Sequence, residues 1–222
     1  MARPQNIGTA RSKGAEKDPS RAALIDRPLI SPEHNDLIRE LLQKMEEHAA
    51  GEAHHAERVA VYAVATGERL GMSFEDLIYL RQAASLHDVG KIHVDRNLLA
   101  KLGDLTDEEL RQLRSHAQES KRAVESLTWL APCLPMIVHH HERWDGLGYP
   151  DGLAGEAIPL GARIIAVAEA YDVLTNGVGW KKPIPEEEAA AEIARCAGHQ
   201  YDAVVAEAFL QGKLLVQPIL SS

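Results

Sequence analysis

Histidines and acidic residues are concentrated in one part of this chain. Eight of the eleven histidines lie between residues 54 and 141, and three of them are consecutive. An imidazole loses hydration when it is buried, so a protein core gains nothing from collecting them. Metal binding is the commonest reason for histidines to gather with carboxylates, and we therefore predict a metal site.

The pair His87-Asp88 is the first candidate, and Gly90 follows it closely. Adjacent residues of a helix point about 100° apart, so both can reach one metal most easily where a helix ends. The glycine predicts such an end. Lys91 falls on the same side of the chain and could present a cation to a phosphate. Taken alone, a His-Asp dipeptide is more often a capping aspartate beside a surface histidine.

The run His139-His140-His141 precedes a glycine-rich loop, and any two of its three imidazoles could be ligands. His55, His116 and Glu169 are single candidates on predicted helices, and only the whole set makes them convincing. Imidazoles with carboxylates suit borderline divalent ions such as iron, manganese or zinc. Two such ions about 3.5–4 Å apart are suited to phosphate-ester hydrolysis.

The loop of residues 145–153 combines three glycines with a proline and Tyr149. Glycine allows a backbone to approach a ligand closely. The tyrosine offers a ring for base or ribose contact and a hydroxyl donor. We interpret this loop as part of a binding site, the alternative being a surface loop without function.

The elements that must position these residues are predicted to be helices, because no segment alternates convincingly at period two. Capping residues and apolar spacing predict helices from Ser31, over 53–70, from Ser73 to the His87-Asp88 pair, over 95–99, from Thr106 through His116, over 120–127, from the prolines at 132 and 135, over 160–175, from Pro185 and from Asp202 to 210. The sequence thus predicts an all-α bundle of about seven or more helices with a glycine-rich loop.

Composition limits the classes of function. The chain has 222 residues, of which 45% are apolar and 26% are charged, with a net charge of −9. Such an acidic chain is a poor candidate for coating polymeric nucleic acid or an anionic membrane. We predict a flexible arm over 1–30, one catalytic domain over 31–213 and a tail over 214–222. No signal sequence or apolar span is visible, which favours a cytoplasmic protein.

With these residues in view, the chain resembles HD-GYP domains. The resemblance covers roughly residues 35 to 210 and rests on motifs in the family's order and spacing: His55-x-x-Arg58, Leu86 to Ile92, Leu98 to Glu108, His116, His140 to Pro150, and Ala162-Arg163-Ile164.

The resemblance implies an all-α HD-domain fold and hydrolysis of cyclic di-GMP to linear pGpG, and onward to GMP. It implies iron or manganese as cofactor. The implied metal ligands are His55, His87, Asp88, His116, His140, His141 and Glu169. Asp88 would bridge the metals and Lys91 would contact the scissile phosphate. The implied substrate-binding residues are Lys91, Arg143, Gly148, Tyr149 and Lys181.

Three departures from the family pattern bear on these expectations. Glu169 stands where the family has aspartate. The family's third-metal glutamate, four residues before the first histidine, is replaced by Gly51, and Glu52 is one position off, so we predict two metals. The segment 177–183 replaces an Arg-Pro-Tyr-Arg-like sequence, leaving Lys181 or Lys182 as a point charge instead of a bidentate arginine.

These departures leave two alternatives to an active cyclic di-GMP phosphodiesterase. One is a weak or inactive HD-GYP module that binds nucleotide and acts through protein contacts. The other is an enzyme for another cyclic dinucleotide, such as cyclic GMP-AMP. A regulatory protein partner or a homodimer is compatible with either, although the sequence shows no interface.

Overall fold

Helices and connecting loops make up the computed structural model, which describes residues 31–177 and 182–212. Within these ranges no β-sheet forms, and the all-α prediction is confirmed. The helices are α1 (Pro32–His48), α2 (Glu52–Arg69), α3 (Phe74–Leu86), α4 (Arg96–Leu99), α5 (Asp107–Arg114), α6 (His116–Val124), α7 (Leu134–Val138), α8 (Leu160–Asn176), α9 (Glu186–Cys196) and α10 (Ala203–Gly212). Three 3₁₀ segments span Val89–His93, Thr128–Cys133 and Gly155–Ala157. The predicted arm and tail lie outside the described residues.

Side-chain caps begin several of these helices, as the sequence predicts. Ser31 and Ser73 accept hydrogen bonds from backbone N–H groups in the first turns of α1 and α3. Thr106 and Glu109 form a reciprocal capping box at α5. Asp202 accepts from the Val204 N–H at the start of α10. Each cap satisfies a donor that the helix itself leaves unpaired.

Helix α2 is at the centre of the bundle and packs against α3, α8 and α10. Its buried face carries small and medium side chains, among them Val59, Ala60 and Ala63. From α8, Ile164, Ile165 and other apolar residues fill the same core. This close packing of small residues brings the helix backbones together and fixes the side chains at their ends.

The structure corrects two predicted boundaries in the middle of the chain. The helix predicted from Thr106 through His116 is interrupted at Ser115, whose hydroxyl donates to the Gln112 carbonyl at 2.7 Å. The next helix covers His116–Val124, not 120–127. His116 is therefore the first residue of a new helix and does not belong to the last turn of the preceding one.

The 3₁₀ turn after α3 packs tightly on α6 through Gly90. Its N–H donates to the Ser120 hydroxyl at 2.8 Å. A Cβ at position 90 would lie 2.2 Å from the His116 carbonyl oxygen and 2.2 Å from the Ser120 nitrogen. Only glycine allows this approach, because both obstructing atoms belong to the backbone.

We predict that Gly90→Ala destabilises the fold by about 2–3 kcal/mol, because backbone atoms cannot move aside as a side chain can. Gly212→Ala is the matched control, since its nearest obstacle is the flexible Arg69 side chain at 2.9 Å. The control should change the free energy of unfolding by less than about 1 kcal/mol. Urea unfolding followed by circular dichroism measures both, and equal losses would contradict the assignment.

Candidate metal centre

The seven side chains implied as metal ligands lie together in one pocket. They form two groups of four that share Asp88, and within each group the candidate ligand atoms lie within 4.8 Å of one another. The first group, called the 140 group here, is Asp88, His116, His140 and His141; the second, called the 55 group, is His55, His87, Asp88 and Glu169. Segments far apart in the chain therefore converge on one carboxylate.

Asp88 presents one oxygen to each group. Its Oδ1 lies 3.2 Å from His116 Nε2 and 3.9 Å from His140 Nε2. Its Oδ2 lies 3.2 Å from His87 Nε2 and 3.8 Å from His55 Nε2. This is the arrangement of a carboxylate that can bridge two cations.

Backbone carbonyls orient three of the imidazoles. The Nδ1 atoms of His87, His116 and His140 lie 2.6–2.7 Å from carbonyl oxygens three residues earlier in the chain. A carbonyl can only accept, so each Nδ1 carries a proton. When such an imidazole is neutral, its Nε2 atom carries a lone pair. All three Nε2 atoms face Asp88.

Burial and neighbouring charges set the protonation of the pocket. Burial lowers the pKa of His140 and of His141 well below the usual value, and nearby imidazoles lower both further. Burial would also lower the pKa of His87, but Asp88 outweighs it and raises that pKa to about 9. Burial alone would raise the pKa of Asp88, whereas Lys91 and His87 hold it well below its usual range.

The donor set fits divalent cations. Buried polar atoms are normally hydrogen-bonded, yet His87 Nε2 and both Asp88 carboxylate oxygens have no hydrogen-bond partner of proper geometry in the described residues. His116 Nε2 lies 3.2 Å from Asp88 Oδ1 and 3.4 Å from His140 Nε2. The lone pairs of these acceptor atoms repel each other unless positive charge lies between them, and metal ions with nitrogen and oxygen ligands supply it.

A buried carboxylate behind His55 escaped the sequence analysis. Asp172 Oδ2 lies 2.7 Å from His55 Nδ1, and Arg58 donates to both Asp172 oxygens at 2.6 and 2.9 Å. Asn176 donates to the same carboxylate at 3.0 Å. Such a carboxylate fixes the tautomer and orientation of a metal-binding histidine. The available signal was the spacing of three residues both from His55 to Arg58 and from Glu169 to Asp172.

Lys91 lies beside the shared carboxylate. Its Nζ is 2.7 Å from Asp88 Oδ2, and Glu52 accepts from it at 2.9 and 3.1 Å. Glu52, noted in the sequence as one position away from the family's third-metal glutamate, thus pairs with the lysine and belongs to neither group. Burial would lower the pKa of Lys91, but Asp88 and Glu52 raise it, so the ammonium is retained.

Three other histidines between residues 54 and 141 lie outside both groups, namely His54, His93 and His139. His139 contacts the Pro135 carbonyl oxygen with Nδ1 at 2.8 Å and the Asp151 carboxylate with Nε2 at 2.9 Å. It therefore ties the end of α7 to the glycine-rich loop. His54 is exposed on α2. Among the three consecutive histidines, the structure thus brings the second and third to the pocket.

The glycine-rich loop folds against the histidine pair. The Tyr149 ring stacks on His141 with centroids 4.7 Å apart. A Cβ at Gly148 would lie 2.4 Å from the Arg143 nitrogen, so this glycine allows the loop to pack on the backbone of residues 142–143. Glu142 accepts from the Asp151 N–H at 2.7 Å and holds the other side of the loop.

A cleft of about 290 Å³ opens beside the 140 group, and its lining includes His140, His141, Arg143, Glu169, Gln200 and Tyr201. Arg143 lines this cleft, and its guanidinium pairs with Asp145 at 2.6 and 3.0 Å. Lys181, the remaining predicted substrate contact, lies outside the described residues.

Comparison with known proteins agrees with this geometry. Residues 36–205 match the HD domain family. A cyclic di-GMP phosphodiesterase of Thermotoga maritima is 37% identical over 179 residues, covering 78% of this chain and 48% of the relative. A 3′3′-cGAMP-specific phosphodiesterase of Vibrio cholerae is 38% identical over 139 residues, covering 63% and 30%. A solved HDG"Y"P protein of Bdellovibrio bacteriovorus has the same fold, with a TM-score of 0.60, 24% identity and coverage of 72% and 51%.

These curated relatives are longer proteins, and this chain spans about half of their length or less. No helix in the described ranges is both long and apolar enough to cross a bilayer. The family match covers most of the chain, and the motifs named from the sequence fall within it. The predicted family is therefore confirmed, and the chain belongs to the HD domain family as a domain of the HD-GYP type.

Proposed function

We propose that this chain hydrolyses cyclic di-GMP at a pair of divalent metal ions, iron or manganese, yielding linear pGpG and onward GMP. The observation that carries the proposal is the placement of Asp88, with one oxygen toward each group of histidines. Relatives named as phosphodiesterases of cyclic dinucleotides support the substrate class.

The residues of the site have different roles in the proposed reaction. Bound ions of this kind activate water and stabilise negative charge on a phosphate. His140 and His141 stay neutral because of their burial, so their lone pairs remain available as ligands. Lys91 keeps its proton and places a positive charge beside Asp88, where it can stabilise the pentacovalent transition state of the scissile phosphate. Glu169 joins the 55 group despite its extra methylene.

Two substrate contacts implied by the family resemblance belong to the same proposal. Arg143 lines the cleft beside the 140 group and can reach the nucleotide after releasing Asp145. Tyr149, stacked on His141, and the adjoining Gly148 form the loop edge of the site. Lys181 is proposed on sequence grounds alone.

Cyclic GMP-AMP is the second candidate substrate, supported by the Vibrio cholerae relative named as specific for it. The inactive alternative has less support, because Glu169 keeps its carboxylate within 4.8 Å of the other ligand atoms of the 55 group.

The direct test is hydrolysis by protein loaded with iron or manganese, with cyclic di-GMP and cyclic GMP-AMP as parallel substrates and products separated by chromatography. We expect Asp88→Ala to lower turnover at least about 100-fold, because both ion positions lose their shared ligand. Unchanged turnover in a folded Asp88→Ala protein would rule out this mechanism. Faster cleavage of cyclic GMP-AMP would select the second substrate.

Metal content separates the two groups. We expect His55→Ala and His140→Ala each to lower the bound metal by about one ion per chain, and Asp88→Ala to lower it by about two. His54→Ala is the matched control, because His54 is the exposed neighbour of His55. Elemental analysis after dialysis gives the stoichiometry. Full metal content in both His55→Ala and His140→Ala would contradict a dinuclear centre.

Asp172→Asn tests the support of His55. We expect weaker metal binding by about 10- to 100-fold, because the amide no longer fixes the imidazole as a carboxylate does. Asp202→Asn is the control, since Asp202 is also buried and paired with an arginine, Arg163, at 2.6 Å. Competition with a chelator measures the affinity, and equal affinity in both folded variants would remove the role given to Asp172.

A further inference from the structure

Three cations near the metal centre already have carboxylate partners. Lys91 pairs with Asp88 and Glu52, Arg58 with Asp172, and Arg143 with Asp145. In this structure each of these three cations is therefore already paired with a carboxylate.

Arg114 differs from these cations. It is exposed at the last residue of α5, and no carboxylate pairs with it in the part of the chain that the structure describes. Its guanidinium carbon lies 5.0 Å from the centroid of the Tyr149 ring. The same ring stacks on His141, a member of the 140 group.

The position of the Arg114 side chain is set by its place in the chain and by its contact with the Tyr149 ring. The chain turns at Ser115, and His116 of the 140 group follows two residues after Arg114. A guanidinium packed on an aromatic ring loses little hydration at its edge, where the N–H donors remain free. Those donors match the geometry of two phosphate oxygens. A free guanidinium is thereby placed at the rim of the metal pocket.

We propose that Arg114 binds the phosphodiester of the cyclic dinucleotide that is not being cleaved. This inference rests on the proposed function, because a cyclic dinucleotide carries two phosphodiesters and the metal groups with Lys91 can serve only one at a time. Arg114 thereby selects ligands with a second phosphate near the scissile one. It also provides the bidentate contact that the segment 177–183 lacks, since that segment contains lysines but no arginine.

The experiment compares two substrates. Bis(4-nitrophenyl) phosphate has a single diester and reports on the metal centre alone, whereas cyclic di-GMP also requires the second contact. For Arg114→Gln we expect the KM for cyclic di-GMP to rise about 10-fold or more, with kcat within about twofold, because a charge-assisted contact made equally in the ground and transition states is lost. Hydrolysis of the aryl diester should not change. Arg114→Lys should have an intermediate KM for cyclic di-GMP, because lysine keeps the positive charge but cannot form the bidentate contact of a guanidinium.

Arg111→Gln is the matched control, because Arg111 lies one turn earlier on α5 and pairs with Glu108 on the surface. Arg111→Gln should leave the KM and kcat for both substrates unchanged. The KM of the wild type for cyclic di-GMP should rise more steeply with salt than that of Arg114→Gln.

Two results would overturn the role of Arg114 while leaving the proposed function intact. One is unchanged kinetics of Arg114→Gln on cyclic di-GMP. The other is an equal loss on both substrates with reduced metal content, which would mean that Arg114 only supports Tyr149 and His141. A wild-type protein that cleaves the aryl diester but neither binds nor cleaves a cyclic dinucleotide would overturn both proposals together.

Discussion

The structure depends on a repulsion that only positive charge can relieve. His116 Nε2 lies 3.2 Å from Asp88 Oδ1 and 3.4 Å from His140 Nε2, and all three atoms present lone pairs when the imidazoles are neutral. In the 55 group, a proton on His87 relieves the repulsion from Asp88, and Asp88 accordingly raises the pKa of His87. Burial lowers the pKa of His140 and of His141, so these two imidazoles on the other side of the pocket do not take up a proton in the same way. The divalent ions of the proposed function, one on either side of Asp88, would relieve the repulsion in both groups at once.

Three of the imidazoles are oriented in the same way, by a backbone carbonyl at the end of a helix. His87, His116 and His140 each follow the end of a short or medium helix, at residues 86, 114 and 138. A helix leaves its last carbonyls without internal partners. Each of these imidazoles lies close to such a carbonyl with Nδ1 and directs Nε2 into the pocket. The helix ends thus orient the ligands, and His55 uses the carboxylate of Asp172 instead because it lies near the start of α2.

Sequence reasoning located the pocket but not its supports. The seven side chains could be proposed because histidines and carboxylates at family spacing are rare, and local caps such as Ser31 and Thr106 are readable from neighbouring residues. Asp172 could not be identified, because its partner His55 is 117 residues away and a helix spacing does not say which helix it faces. The break at Ser115 was missed for a related reason. Gly90 packs against the backbone of His116 and Ser120 in α6, and such a contact cannot be read from the residues around Ser115.

The acidic net charge of the chain is compatible with a polyanionic substrate because charge at the site is arranged locally. Carboxylates near the pocket are matched one by one, Glu52 by Lys91, Asp172 by Arg58 and Asp145 by Arg143. Asp88 and Glu169 are the carboxylates of the two groups, and burial together with Asp88 raises the pKa of Glu169. The two divalent ions of the proposed function would make the pocket net positive while the chain as a whole stays acidic. Under the proposed function, attraction of the substrate would therefore require the metals, because their charge would create the field that admits the phosphates.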